Sequence, residues 1–580
     1  MAQRSHDAKS SRWRWRRIDP VRSASRLAIL VFVGFEFALE AGAEPGPLSR
    51  WLLAGAVAAA FAVELARDGW AFRKRLLRHR WPDLLLGVPG FALLFAGSPR
   101  AGAAFFVARL VTRELTGLFH WRPARPLLDA LLRRPIALLC LSFLLTIAAG
   151  TIALLAPAAT AAGRTTGVVT ALFIATSATC VTGLADVDVA SHFGRFGHWV
   201  ILVLMQVGGL GIMSITTSLA LAFRSALSAR ARGAMQQILD EETVAGFRRL
   251  IVSIAAITVA VEAAGALALY GVLRHGAGGQ TLALGDRAFH AAFHGISAFC
   301  NAGFSLYPDS FGQYRGSPAV NLVVMALVVL GGIGFPVLTE LLRVERWWRN
   351  GLRGGWSFLP VHARVVLVTT VALLGVGAVA FLALEWNHSL SSLSFGERLL
   401  ASTFQSVTLR TAGFSTVDFS LVGTPMLLVS LAWMFIGGSP GGTAGGVKTT
   451  TVAVLALTFR AMLRQRADVE VFGRSIPPAN VYRAAAVAVI SLMLLFALTF
   501  LLFAVEPAQP FRSLLFEAVS AFGTVGLSLG TTASLGAAGK LVVCALMFVG
   551  RLGPFTLALA AALSKDQAGY AYPSTKIVVG

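Results

Sequence analysis

Four short segments of this chain end on a glycine in closely similar surroundings. They read Ser177-Ala178-Thr179-Cys180-Val181-Thr182-Gly183-Leu184, Ser297-Ala298-Phe299-Cys300-Asn301-Ala302-Gly303-Phe304, Val407-Thr408-Leu409-Arg410-Thr411-Ala412-Gly413-Phe414 and Ser520-Ala521-Phe522-Gly523-Thr524-Val525-Gly526-Leu527. The glycines lie 120, 110 and 113 residues apart. A second glycine motif follows each: Gly208-Gly209-Leu210-Gly211, Gly331-Gly332-Ile333-Gly334, Gly437-Gly438-Ser439 and Gly550-Arg551-Leu552-Gly553. Its first glycine comes 25, 28, 24 and 24 residues after the first. The side chains offer little chemistry, but the backbone offers a good deal. Carbonyl oxygens turned inward from four loops can replace an ion's hydration shell. Glycine permits that turn because it lacks a Cβ. Four unrelated small-residue helix contacts would not predict two registers that repeat together.

A second group of residues is chemically conspicuous. The stretch Gly437-Gly438-Ser439-Pro440-Gly441-Gly442-Thr443-Ala444-Gly445-Gly446 interrupts an apolar run that would otherwise be helical. It is not a phosphate-binding loop, because Val447 rather than glycine precedes Lys448 and no soluble domain surrounds it. Arg551 replaces the second glycine of its motif and should project inward at membrane depth, where a cation marks function by default. Lys448 reads either as a companion of the interrupted stretch or as a snorkelling interfacial lysine. Arg410 is expected behind the loops, hydrogen-bonding their carbonyls. Asp186, Asp188, Asp309 and Asp418 follow the loops, as cation-concentrating charges or as helix caps. Glu517 is expected to bond loop backbone, and Cys180 and Cys300 hold equivalent places. The histidines are scattered. No metal cluster and no nucleophile with a base is visible, so an enzyme is not expected.

The elements that position these residues must be membrane helices. The chain has 580 residues, 56% hydrophobic and 13% charged, with mean hydropathy +0.71. Ordinary soluble proteins carry about 25% charged residues, so several soluble domains are excluded, as is disorder. Long apolar helices are expected at 136–156, 196–222, 247–273, 319–342, 363–385, 425–459, 482–505 and 540–563, each long enough to span. They form four pairs, and a shorter apolar segment lies between the members of each pair. Residues 1–135 read as an extension with about four short membrane helices and a basic linker from His120 to Pro135. Ala41-Gly42-Ala43 resembles a signal-peptidase site, but Glu36 interrupts the apolar stretch and the basic region before it is long. The expected divisions are 1–135, 136–243, 244–358, 359–475 and 476–580.

Net charge is +22. Membrane topology accounts for it better than nucleic acid does. With both termini cytoplasmic, 36 of the 50 Lys and Arg residues fall on inside segments. The four cysteines, Cys140, Cys180, Cys300 and Cys544, have no zinc or redox spacing.

These motifs resemble the Ktr/Trk/HKT superfamily of potassium transport subunits over about residues 136–580. The tail Tyr572-Pro573-Ser574-Thr575-Lys576-Ile577-Val578-Val579-Gly580 and Gly550-Arg551-Leu552-Gly553-Pro554 are similar to the KtrB branch. The resemblance implies an all-α polytopic protein with four helix–pore-loop–helix units around one pore. It further implies a homodimer in the bacterial inner membrane, on a cytoplasmic RCK-type ring that carries the nucleotide. The filter would be Cys180 to Gly183, Cys300 to Gly303, Thr411 to Gly413 and Thr524 to Gly526, with K+ at the four glycines. Residues 437–446, with Lys448 and Arg551, would form a mobile gate; a static break for close packing is the alternative. Gly183 argues for potassium, since sodium-preferring plant relatives commonly have serine there. Val407, where the other repeats have serine, departs from the pattern. A sodium-permeable transporter of the same fold, sodium dependence, and the membrane subunit of an ATP-driven potassium pump remain as other readings.

Overall fold

A computed structural model describes residues 135–161, 166–222, 244–276, 280–343 and 356–553. All of them belong to the second of two compact units, Leu131–Gly580. The expected helices before residue 135, the basic segment 224–243 and the tail after 553 lie outside the described residues.

The described chain is helical apart from a two-stranded hairpin, Glu470–Val471 with Arg474–Ser475. Helices α1 (Pro135–Leu154), α2 (Val168–Thr179) and α3 (Arg195–Ala222) come first. Helices α4 (Val244–Val272), α5 (Leu284–Phe299), α6 (Pro318–Gly332) and α7 (Phe335–Leu341) follow. Then come α8 (Val361–Glu385), α9 (Phe395–Thr408), α10 (Thr424–Phe435) and α11 (Thr449–Leu463). The last are α12 (Pro478–Val505), α13 (Phe511–Gly523) and α14 (Ala537–Leu552). Punctuation follows local chemistry. Proline opens α6, α7, α10 and α12, where its missing N–H costs nothing. Ser394 and Glu397 form a reciprocal capping box at the start of α9.

Length decides depth. The long helices α4, α8 and α12 bury only 28%, 22% and 17% of their most apolar windows. All three are long and apolar enough to cross a membrane, where apolar side chains need no protein cover. The short helices α2 and α13 lie inside over their C-terminal halves. From Phe173 to Thr179 in α2, and from Phe516 to Gly523 in α13, every residue is buried.

Two expected spans are not continuous. The run 319–342 breaks between Gly332 and Phe335, and α6 and α7 meet at 111°. Gly334 has φ +90° there, and Pro336 starts the next turn without a donor. The run 425–459 is divided into α10 and α11 by residues 436–448, where the glycine-rich stretch was expected to break it. The last expected helix, 540–563, is described only to Leu552, with Gly553 at φ +84°.

Candidate functional site

Helices α2, α5, α9 and α13 each end three to five residues before one of the four glycines. Their negative C-terminal ends therefore converge where the loops begin. Beyond them the backbone repeats one pattern. Val181, Asn301, Thr411 and Thr524 have φ +56°, +58°, +67° and +51°, and Gly183, Gly303, Gly413 and Gly526 have φ +91°, +70°, +77° and +92°. Two left-handed residues at alternate positions turn successive carbonyls to one side, a conformation L-residues otherwise avoid.

The four glycines face one another in a closed ring. A Cβ on Gly183 would lie 2.5 Å from the Ala302 carbonyl oxygen, and one on Gly303 would lie 2.8 Å from that of Ala412. A Cβ on Gly413 would lie 2.6 Å from the Val525 oxygen, and one on Gly526 2.1 Å from that of Thr182. Each segment thus presents its carbonyl to the glycine of the preceding one, and the fourth returns to the first. Thr182, Thr411 and Thr524 add buried hydroxyls that have no partner among the described residues. Such a ring can offer a dehydrated cation oxygen atoms and nothing else.

The Val407 departure is compensated locally. Ser177 accepts from the Gly183 N–H at 3.1 Å and Ser520 from the Gly526 N–H at 3.2 Å, while Ser297 donates to the Phe304 carbonyl at 2.9 Å. In the third segment the Thr408 hydroxyl, one residue later, donates to Phe414. The backbone shifts with it. Ala412 N–H bonds the Thr408 carbonyl four residues back, whereas Thr182, Ala302 and Val525 bond five residues back.

The second glycine register has a different cause. A Cβ on Gly208, Gly331 or Gly550 would lie 2.0, 1.9 or 1.8 Å from the carbonyl oxygen of Thr179, Phe299 or Phe522. These glycines let an inner helix touch the last turn of a short one. Gly437 instead packs on Gly445, because its helix has already broken.

Residues 436–448 are bonded to four other parts of the chain. Within the loop, Gly437 N–H bonds Val447 O at 2.9 Å and Thr449 N–H bonds Gly438 O at 3.0 Å. Outward, Ser439 N–H bonds Gly332 O at 2.9 Å, Thr443 N–H bonds Gly331 O at 3.1 Å, and Gly441 O accepts from Phe335 N–H at 3.1 Å. The break between α6 and α7 thus exposes backbone that this loop uses. The Thr443 hydroxyl donates to Phe299 O at 3.1 Å. A Cβ on Gly445 would sit 2.2 Å from the Thr524 hydroxyl oxygen, so the loop lies against the fourth ring segment. Pro440 O faces Gly334, Gly442 packs on Gly331 and Gly332, and Gly438 touches Ala444. Gly446 has φ +64°.

Two arginines hold this loop. Arg551 is 4% exposed and donates to the carbonyls of Thr443 and Gly208. It joins α14, the loop and α3 through charge-assisted bonds. Arg410 was expected to brace filter carbonyls, but its guanidinium donates to Gly437 O at 3.1 Å, at the start of the loop. The third segment's one-residue shift accompanies this different aim. Lys448 does not snorkel. Its ammonium folds back to Ala444 O at 2.7 Å.

Above the ring lies a cavity of about 930 Å³ lined by the four glycines and by Asp186, Asp188, Asp309 and Asp418. Asp188 and Asp418 cap short helical turns, accepting from Ala190 N–H at 3.1 Å and Ser420 N–H at 2.9 Å. Asp186 is not an open charge, because Lys540 pairs with it at 2.7 Å and Thr170 donates to it at 2.8 Å. Glu517 bonds the turn beyond the ring, at Ser528 and Thr532, rather than the ring backbone itself. Cys180 and Cys300 are buried free thiols.

Glu262 escaped sequence reasoning. It is 6% exposed within α4, accepts from the Gln206 amide at 3.1 Å and meets the Cys300 thiol at 3.7 Å. A lone carboxylate in an apolar span was the available signal.

The sequence model of the TrkH family, described as a cation transport protein, matches residues 139–571. Ktr system potassium uptake protein B of Bacillus subtilis (strain 168) is 36% identical over 448 residues, which is 77% of this chain and 97% of that protein. The protein of the same name from Vibrio alginolyticus is 39% identical over 390 residues, 67% of this chain and 83% of that one. Potassium/sodium uptake protein NtpJ of Enterococcus hirae is 34% identical over 452 residues, 77% of this chain and 97% of that protein. The crystal structure of the potassium transporter TrkH from Vibrio parahaemolyticus superposes with TM-score 0.57 at 19% identity, covering 93% of this chain and 98% of that one, which is a likeness of fold. The chain belongs to the Ktr/Trk family of membrane cation transport proteins.

Proposed function

We propose that the chain is the membrane subunit of a potassium uptake system in the plasma membrane. K+ would pass, dehydrated, through the ring at Gly183, Gly303, Gly413 and Gly526. The observation that carries this reading is the closed ring of glycine and carbonyl contacts, built on alternate left-handed residues. A ring of backbone oxygens can replace a cation's hydration shell, and four helix C-termini favour positive charge beside it. The four helix–loop–helix units, divided near residues 243, 358 and 475, are read as pseudo-repeats around that pore.

Residues 437–446 form the gate in this reading. The loop lies against the fourth filter segment and is held by Arg551, Arg410 and the break after α6. Lys448 stiffens it from within. A cytoplasmic RCK-type partner, which binds the nucleotide, controls the gate in a homodimeric assembly with both termini cytoplasmic. The potassium uptake named for the B-type relatives supports the choice of ion. The test is uptake in a potassium-transport-deficient cell, with and without an RCK partner. Restored growth at low external K+ is expected. A folded, membrane-inserted protein that restores none with the partner present would refute the reading.

A sodium-permeable variant of the same mechanism has one observation in its favour, the potassium/sodium name of a relative 34% identical. Reversal potentials under swapped gradients separate the two.

A further inference from the structure

The outer turn of each filter segment is tied back to the protein by a buried polar side chain, and the four ties differ. In the second segment the tie is His294, fully buried on α5. Its Nδ1 donates to His290 O at 2.8 Å, which leaves Nε2 to accept from Leu306 N–H and from the Ser305 hydroxyl, both at 3.2 Å. In the fourth it is Glu517, fully buried on α13. Its carboxylate accepts from the hydroxyls of Ser528 and Thr532. His294 and Glu517 both stand nine residues before their glycine.

In the third segment the tie is Gln405, also fully buried. It stands eight residues before Gly413, displaced by one like Thr408. With the amide oriented to satisfy its neighbours, its oxygen accepts from the N–H groups of Thr416 and Val417 at 3.1 and 3.2 Å. The first segment has buried Ile174 at the matching place and is tied through its own Asp186 to Thr170 and Lys540. Every tie ends two to six residues beyond the glycine.

We propose that His294, Gln405 and Glu517 are positioning residues that set ion discrimination by fixing the outer turns behind the ring, with Glu517 the largest contributor because it is the one carboxylate of the three. This rests on the conduction reading above. No tie touches the ring atoms. Each acts through the turn that follows the glycine, and ring geometry governs selectivity whether through size or through the number and field of the oxygens. A turn whose buried donors lose their acceptor must move to find another, and one corner of the ring moves with it.

The test uses the full chain in liposomes, with Glu517→Leu, Glu517→Gln and Gln405→Met beside wild type. Two quantities are read: the K+ to Na+ permeability ratio, and the difference in thermal stability between K+ and Na+ buffers. Glu517→Leu should lower the ratio about tenfold, or about 1.4 kcal/mol, while still passing cations, and should narrow the stability difference. Glu517→Gln, which keeps acceptor and donor groups, should restore most of both. Gln405→Met should show a smaller loss and carries the test if Glu517→Leu fails to fold. Folded leucine and methionine variants with wild-type ratio and wild-type stability difference overturn the proposal. A wild type that conducts neither ion overturns the conduction reading instead, and the stability difference alone then decides the ties.

Discussion

The ring at the four glycines and the loop at 437–446 are both glycine-rich backbone at membrane depth, yet they are built on opposite principles. The ring is made four times. Each segment repeats the same two left-handed positions and meets the next through the same pair of atoms. The loop is made once, in the third quarter of the described chain, and its outward bonds go to backbone of the second quarter and to an arginine of the fourth. Repetition gives a cation equivalent oxygens on every side. A single asymmetric strap, held by exchangeable hydrogen bonds to several neighbours, can move without disturbing that equivalence. In this account discrimination belongs to the ring and rate to the loop.

Substitutions can break this division. The largest effect is expected at Gly526→Ala. The new Cβ meets the Thr182 oxygen at 2.1 Å with φ at +92°; backbone cannot rotate away, and the left-handed strain alone is about 1–2 kcal/mol. Rubidium influx should fall at least about tenfold, with loss of K+ preference in what remains. An alanine variant with normal flux and preference would remove the ring from the mechanism.

Next comes Arg551→Gln. Two charge-assisted bonds to Thr443 and Gly208, worth about 1.5–3 kcal/mol each before compensation, hold the loop in place. Influx in vesicles should rise about tenfold, the value of one such bond at the low end of that range, with an unchanged K+ to Na+ ratio. A lower ratio would mean that Arg551 shapes the ring.

Gly445→Ala tests the contact between the two regions. Its Cβ would crowd the Thr524 hydroxyl at 2.2 Å, and a side chain can give way where backbone cannot. A rise in influx of about twofold, roughly 0.4 kcal/mol, is expected at constant ratio. The smallest effect belongs to Asp188→Asn at the outer mouth. Asparagine caps as well as aspartate, and an exposed charge is screened within about 8 Å at physiological salt. Half-saturation for K+ should change less than about twofold, and only at low ionic strength.

The ring was legible in the sequence because its cause is local. At the four glycines a positive φ coincides with a neighbouring carbonyl oxygen too close to admit a Cβ, so four such places leave four aligned glycines. The second register was visible for a different local reason, since helix backbones meet only where no Cβ intervenes. What escaped reading depends on distant partners. Asp186 looks like an open mouth charge until Lys540, 354 positions away, pairs with it. Lys448 and Arg410 are long, pliable cations whose aim is set by whichever buried carbonyl lies in reach. The break after Gly332 carried its signals, Gly334 and Pro336, but an apolar run conceals a bend that only a tertiary partner, here the 439–443 backbone, stabilises. Thr408 and Gln405 show that a one-residue shift in a helix keeps a hydrogen bond to the following turn while hiding it from an ungapped alignment.

The most direct test of the division is a chain lacking residues 442–445, reconstituted in vesicles, with cation flux and the K+ to Na+ reversal potential recorded on the same preparation. Removing the Thr443 and Gly445 contacts should raise flux above wild type while the reversal potential stays where it was. A reversal potential that moves toward equal permeability, or a flux that does not rise, would contradict the account.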